Sequence, residues 1–349
     1  MAISIDAGEI LKSCRLPILD VRSPGEFASG HIPNANNVPL LDDAERAEVG
    51  TLYKQSGSEP AIARGRQLVG VKLEQLVDAV RAITAGPEVV VHCWRGGMRS
   101  AGFAGLLQEH GFQPKLVKGG YKAYRKSVHD CLAEPRRVVI LCGHSGSGKT
   151  LLLQRLRESG EQVVDLESLA GHRGSVFGGI GLPAQPTVEQ FENHLGQAWN
   201  RLDPSKPVWI EGESQSIGRV YIPAPCWKQM MEAPSISVEV PRDQRVKFLV
   251  EEYGDLPAEE LADAIHKISK RLGGARLQAA LAALDENDVA TFASIALEYY
   301  DKAYANSQAK FSRDAVVSVP LTGDIQSADL SESIEALRKA AAQVLGTSL

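Results

Sequence analysis

Two short segments of this 349-residue chain combine residue types and spacings that chemistry needs. The first is His92-Cys93-Trp94-Arg95-Gly96-Gly97-Met98-Arg99-Ser100, directly after the apolar run 89–91. A cysteine placed where a strand ends and backbone amides turn toward a helix sits in an anion cradle. Those amides, the helix N-terminus after Ser100 and the Arg99 guanidinium all favour negative charge, and the same field turns a thiol into a thiolate nucleophile. Gly96 and Gly97 allow the tight curl. A buried packing residue is the commoner fate of an isolated cysteine, but packing needs neither two arginines nor two glycines within six residues.

The second segment is Gly143-His144-Ser145-Gly146-Ser147-Gly148-Lys149-Thr150, which fits G-x4-G-K-[ST] between the apolar run 138–142 and the helical pattern LLLQRLRES. In that context the backbone amides and Lys149 hold a diphosphate, and the Thr150 hydroxyl reaches Mg²⁺. A companion acid should end a neighbouring strand. VWIEGES supplies Glu211, the candidate metal partner of Thr150, and Glu213; Asp165 and Glu167 compete, and His172-Arg173-Gly174-Ser175 could line the same cleft.

The elements that position these loops alternate. PILDV (17–21), EVVVHC (88–93) and KLVKG (115–119) read as strands, and 68–83 has helical spacing. After a lapse at CLAEPRR the run 137–142 starts a second alternation, with VVDLE (163–167), PVWIEGE (207–213), SISVEVP (235–241) and AVVSVPL (315–321) as further strands. The expected fold is therefore an α/β domain over 1–132, followed over 133–349 by a parallel-sheet domain of the P-loop NTPase type, with 257–310 as a helical insertion.

With 38 Lys+Arg against 43 Asp+Glu, the net charge of −5 excludes a bulk polyanion coat, so any nucleic-acid contact must be a local patch. Lys115, Lys118, Lys122, Arg125 and Lys126 fall in one acid-free stretch, interleaved with Tyr121 and Tyr124, which could stack on bases. Lys267, Lys270 and Arg271 share one helix face by spacing. Either patch reads equally well as a solvated helix face. Five scattered cysteines suggest single thiols rather than disulfides or a zinc site. No signal-peptide pattern and no run of 18 apolar residues occurs, so a cytoplasmic protein without membrane contact is expected.

The stretch Asp20-Val21-Arg22-Ser23-Pro24-Gly25-Glu26-Phe27-Ala28-Ser29-Gly30-His31-Ile32, with Cys93 and Gly119-Gly120, resembles a rhodanese domain. Rhodaneses carry sulfur or selenium on the loop cysteine. The H-C-x5-R-S spacing is one residue longer than in most of them and matches tyrosine-phosphatase loops, which implies room for a tetrahedral oxyanion. Fused to GHSGSGKT, and with 45–55 and Ile210-Glu211-Gly212-Glu213-Ser214 in place, the whole chain resembles the tRNA 2-selenouridine synthase family.

That resemblance implies exchange of sulfur for selenium in wobble-position 2-thiouridine of tRNA, with selenophosphate as donor and an S-geranyl intermediate made from geranyl diphosphate. It implies Cys93 as the selenium-handling nucleophile, Arg95, Arg99 and the loop 94–100 around the phosphoryl group, and the loop 143–150 around diphosphate or nucleotide. No tightly bound cofactor is expected, and the enzyme that makes selenophosphate is a candidate partner. A rhodanese-fold phosphatase with an appended NTPase, or a P-loop kinase with a rhodanese-like binding module, are the competing readings of the same residues.

Overall fold

The computed structural model describes residues 3–308, 316–321 and 329–346. The chain divides into two compact units, residues 1–132 with 189–201, and residues 133–188 with 202–349.

In the first unit β1 (Ile3–Ile5), β2 (Ile18–Asp20), β3 (Ala35–Asn37), β4 (Glu88–His92) and β5 (Gln113–Val117) form an all-parallel sheet in the order β1-β5-β4-β2-β3. Helices cover a parallel sheet on both faces, so the β-branched run Val89, Val90, Val91 is completely buried. Leu19, Val21, Val80, Phe103 and Leu107 complete the core around it. The central position of β4 beside β2 brings Asp20 level with His92, and Cys93 emerges where ligands meet such sheets, at the carboxyl ends of the strands.

Two expectations change here. The helical pattern over 68–83 is broken at Val71, which is 84% exposed, into Ser58–Gly70 and Leu73–Ile83. The later helix buries Leu76, Val77 and Val80 in the domain core, whereas the earlier one packs on Asp43–Ser56 and buries only Ala61, so one straight helix cannot serve both. The helix Val188–Asn200, assigned from sequence to the second domain, contributes residues 189–200 to the first unit. Phe191, Leu195 and Trp199 are buried, and Glu189, Glu192 and Asn193 bond Tyr121 and Arg125.

In the second unit β6 (Arg137–Gly143), β7 (Gln162–Val164), β8 (Pro207–Glu211), β11 (Ser235–Glu239) and β12 (Val316–Pro320) form a parallel sheet in the order β12-β11-β6-β8-β7, and β9 (Ser216–Ile217) pairs antiparallel with β10 (Val220–Tyr221). Val139, Leu141, Leu152, Leu156, Trp209 and Ile236 make its core. The central strand β6 runs directly into the glycine-rich loop.

The segment expected to be helical over 257–310 contains Ala258–Lys267, Ser269–Leu272, Gly274–Asp285 and Val289–Gln308, around Phe177, Tyr253, Leu261, Ile265 and Phe292. Its last two residues, 309 and 310, lie outside the described residues, as does residue 315 of the strand candidate 315–321. Lys267 ends one helix while Lys270 and Arg271 belong to the next, because the chain leaves helical geometry at Ile268, whose side chain turns into the core. The three cations are exposed but do not share one helix face. None of the five cysteines is in a disulfide. Among the described residues no helix is long and apolar enough to cross a membrane.

Candidate functional site

The Cys93 loop leaves β4 and enters the helix Met98–Glu109. Its shape depends on a second loop. Tyr121 N–H donates to the Cys93 carbonyl at 2.9 Å, and Lys122 N–H to that of Trp94 at 2.9 Å. Gly96 and Gly120 meet where the loops cross, both in the left-handed region at φ +65° and +60°. A side-chain carbon at Gly120 would collide with the Cys93 carbonyl oxygen, so only glycine permits this approach.

The Cys93 Sγ lies 3.3 Å from Ser100 Oγ, and the Ser100 hydroxyl also reaches the Gly97 carbonyl at 3.1 Å. Burial pushes the thiol pKa up. The Ser100 hydroxyl and the backbone N–H groups of Ser100, Arg95 and Gly97 outweigh that, and the net position is below the ordinary thiol value. These groups would also hold the oxygens of a bound oxyanion.

The motif that precedes the loop in sequence supports it in space. Ser23 and Glu26 form a capping box that starts the helix Pro24–Ser29. The same Glu26 carboxylate accepts Arg99 Nη1 at 3.0 Å and lies 3.6 Å from Arg46 Nε. Arg99 is therefore oriented and partly neutralised by Glu26, and Arg95 is exposed. Beneath the loop, buried Asp20 and Arg22 pair at 2.6 Å, with the Arg22 guanidinium 3.9 Å over the Tyr121 ring and 5.9 Å from that of Trp94. His92 is fully buried 3.6 Å from Asp20, and burial lowers its pKa to about 4, so the ring is neutral. Trp94 and Met98 are exposed at the loop's rim, 36% and 65%.

The basic stretch next to the loop is only partly available. Tyr121 and Tyr124 are buried to 0% and 1% exposure and cannot stack on bases, because they fill the interior between the sheet and the helices. Arg125 is committed to Glu192 and Asn193, Lys126 pairs with Asp130 at 2.5 Å, and Lys115 with Glu88 at 2.8 Å. Lys118 and Lys122 stay exposed. Arg271 bonds the Tyr299 hydroxyl at 3.4 Å.

In the second unit the loop Gly143–Thr150 wraps the start of the helix Lys149–Glu158. Lys149 Nζ donates to the Gly143 carbonyl at 2.9 Å, Ser147 N–H to that of His144 at 3.1 Å, and the buried Ser147 hydroxyl has no hydrogen-bond partner among the described residues. Thr150 Oγ1 donates to Glu167 Oε2 at 3.3 Å rather than meeting Glu211. Glu211 is buried beneath the site, where one oxygen accepts Glu167 N–H at 2.7 Å and burial raises its pKa well above the usual range. The Thr150 hydroxyl thus meets Glu167 directly, whereas Glu211, the partner expected from sequence, reaches the backbone of Glu167 instead. Glu167 and Glu213 share a hydrogen bond, and burial together with their mutual repulsion raises Glu167, with Lys149 acting against it.

Sequence reasoning passed over Asp301 and Arg245, which lie far from any motif. Asp301 Oδ1 accepts His144 Nδ1 at 3.0 Å, and Arg245 grips both Asp301 oxygens at 2.8 and 2.9 Å while reaching the Ser145 carbonyl at 3.3 Å.

Comparison with known proteins agrees with this pair of modules. Residues 136–327 match the family model of the tRNA 2-selenouridine synthase AAA domain, and residues 5–127 that of the rhodanese-like domain. The chain is 40% identical over 259 residues to the tRNA 2-selenouridine synthase of Nitrosomonas europaea, which covers 72% of this chain and 67% of that protein. It is 36% identical over 325 residues to the one from Marinobacter nauticus, covering 83% and 87%, and 37% identical over 320 residues to the one from Chromohalobacter salexigens, covering 82% and 87%. Because the likeness runs through both the thiol loop and the P-loop, the chain belongs to the tRNA 2-selenouridine synthase family.

Proposed function

We propose that this protein is a tRNA-modifying transferase of the cytoplasm. It replaces the sulfur of wobble-position 2-thiouridine by selenium, with selenophosphate as donor, after a geranyl group from geranyl diphosphate has turned that sulfur into a better leaving group. The carrying observation is a thiol whose pKa is lowered by Ser100 and by loop amides that are also fit to hold a phosphoryl group. Cys93 then handles selenium, with Arg95, Arg99 and the amides around the phosphoryl oxygens. The loop 143–150 serves the diphosphate, whose charge grows as the prenyl carbon–oxygen bond breaks, and Lys149 opposes that charge.

The hard oxygens of Thr150, Glu167 and Glu213 suit Mg²⁺, and they would hold an ion that neutralises diphosphate charge. Exposed Lys118 and Lys122 supply phosphate contacts for tRNA.

Nucleoside mass spectrometry of tRNA from cells that carry only Cys93→Ala tests the assignment. S-geranyl-2-thiouridine should accumulate and 2-selenouridine should vanish. Normal 2-selenouridine in those cells would refute the role of Cys93.

A further inference from the structure

His144 is the one titratable side chain within the loop 143–150 other than Lys149, and its ring, 40% exposed, is hydrogen-bonded on one side. Asp301, on the helix Val289–Gln308, accepts Nδ1 at 3.0 Å. Arg245, on the helix Arg242–Tyr253, fixes that carboxylate by two hydrogen bonds of 2.8 and 2.9 Å. Asp301 is held below the usual carboxylate range: burial works against this, but the bonds and charges of Arg245 and His144 prevail. An ionised carboxylate only accepts, so Nδ1 carries the proton and the basic lone pair of the neutral ring sits on Nε2. The arrangement is a base, an orienting carboxylate and a group that orients the carboxylate, the logic by which enzymes prepare a proton acceptor. A P-loop needs only amides, a lysine and a hydroxyl to hold phosphate; Arg245 also braces the loop at the Ser145 carbonyl, but that contact does not call for a carboxylate on the histidine ring.

Alkylation of a 2-thiouridine on sulfur does need a base. The neutral ring carries a proton on N3, and the S-alkylated ring carries none. We propose that His144, oriented by Asp301 and Arg245, accepts that proton during prenyl transfer. Sulfur forms its bond to the prenyl carbon as the carbon–oxygen bond breaks, and the diphosphate departs with that electron pair. The N3–H pair becomes the N3=C2 double bond while the C2=S double bond becomes single, and the proton moves to Nε2 of His144. No oxidant or reductant takes part. The inference rests on the prenyl-transfer reading given above.

Among the described residues, Asp301, Arg245 and Lys149 are charged groups that act on the ring. Burial lowers the His144 pKa, Asp301 raises it, and the two cations lower it again, for a net position below the ordinary value of 6.5. The ring is thus ready to accept a proton at neutral pH.

The test is single-turnover transfer from geranyl diphosphate to an anticodon stem-loop RNA containing 2-thiouridine, with the full chain. The wild-type rate should fall in acid with a midpoint below 6.5. His144→Gln should lose about 10²–10⁴-fold in rate at a nearly unchanged KM for geranyl diphosphate, and the acid limb should disappear. Asp301→Asn should show a smaller loss in the same direction. An electron-withdrawing 5-substituent that acidifies N3–H should narrow the His144→Gln deficit, which a merely structural role would not produce. If the wild type transfers the prenyl group and His144→Gln keeps its rate and pH profile, or if the deficit ignores N3 acidity, the proton role is wrong and prenyl transfer stands. If the wild type transfers no prenyl group, the prenyl-transfer reading falls and takes this inference with it.

Discussion

Cys93 Sγ and Ser100 Oγ lie 3.3 Å apart across the turn that opens the helix Met98–Glu109, so the state of the thiol is tied to the first turn of that helix. Alkylation with iodoacetamide as a function of pH should show a Cys93 midpoint below the ordinary thiol value. Ser100→Ala removes the largest opposing contribution to burial and should move the midpoint up. An unchanged midpoint would mean that the amides alone control the thiol.

In the proposed prenyl transfer, Lys149 opposes the charge that develops on the leaving diphosphate. Loss of one such contact costs about 2.7–4 kcal/mol of transition-state stabilisation, or on the order of a hundred- to thousand-fold in rate. Lys149→Ala should therefore prenylate poorly yet still convert a chemically prenylated tRNA to its 2-selenouridine form in the presence of selenophosphate. Wild-type prenylation by the variant would assign the loop to another ligand.

The basic stretch separates into two roles that mutation can distinguish. Lys118→Glu with Lys122→Glu should weaken tRNA binding and flatten its salt dependence while leaving the melting temperature near wild type. Arg125→Glu should act on the fold instead, because Glu192 and Asn193 lose their partner and a like charge enters. A cost on the order of 3 kcal/mol in denaturant unfolding is expected. Equal effects of the two changes on tRNA binding, with no change in stability, would refute the distinction.

His92 gives the first unit an acid sensitivity. Its folded pKa of about 4 lies below the ordinary 6.5, so between these values the unfolded chain binds more protons and stability falls as pH falls. From pH 7 to pH 5 the wild type should lose about 2 kcal/mol more than His92→Asn. Parallel stability curves for the two proteins would show that the buried imidazole does not titrate on unfolding.

Local chemistry made both loops legible in the sequence. A thiol after a β-branched run, followed by glycines and arginines, and G-x4-G-K-T after an apolar strand are arrangements in which neighbouring residues build the site themselves. The resemblance of 20–32 to a rhodanese segment was likewise local, and Ser23 and Glu26 show why, since one carboxylate caps its own helix and receives Arg99. Patterning could not assign the faces of the helices. Tyr121 and Arg125 sit among lysines in sequence, yet helix Val188–Asn200 covers them, because its apolar side needs burial and its Glu189, Glu192 and Asn193 need partners. Lys267 and Lys270 differ by three positions but are set apart by one buried isoleucine. Choosing the acid beside Thr150 required the path of the chain after β7, which puts Glu167 on the short helix Leu166–Ala170 within reach of Thr150 while Glu211 ends β8 in the interior. The chain of His144, Asp301 and Arg245 joins residues up to 157 positions apart, and only the packing of the helical segment against the P-loop brings them together.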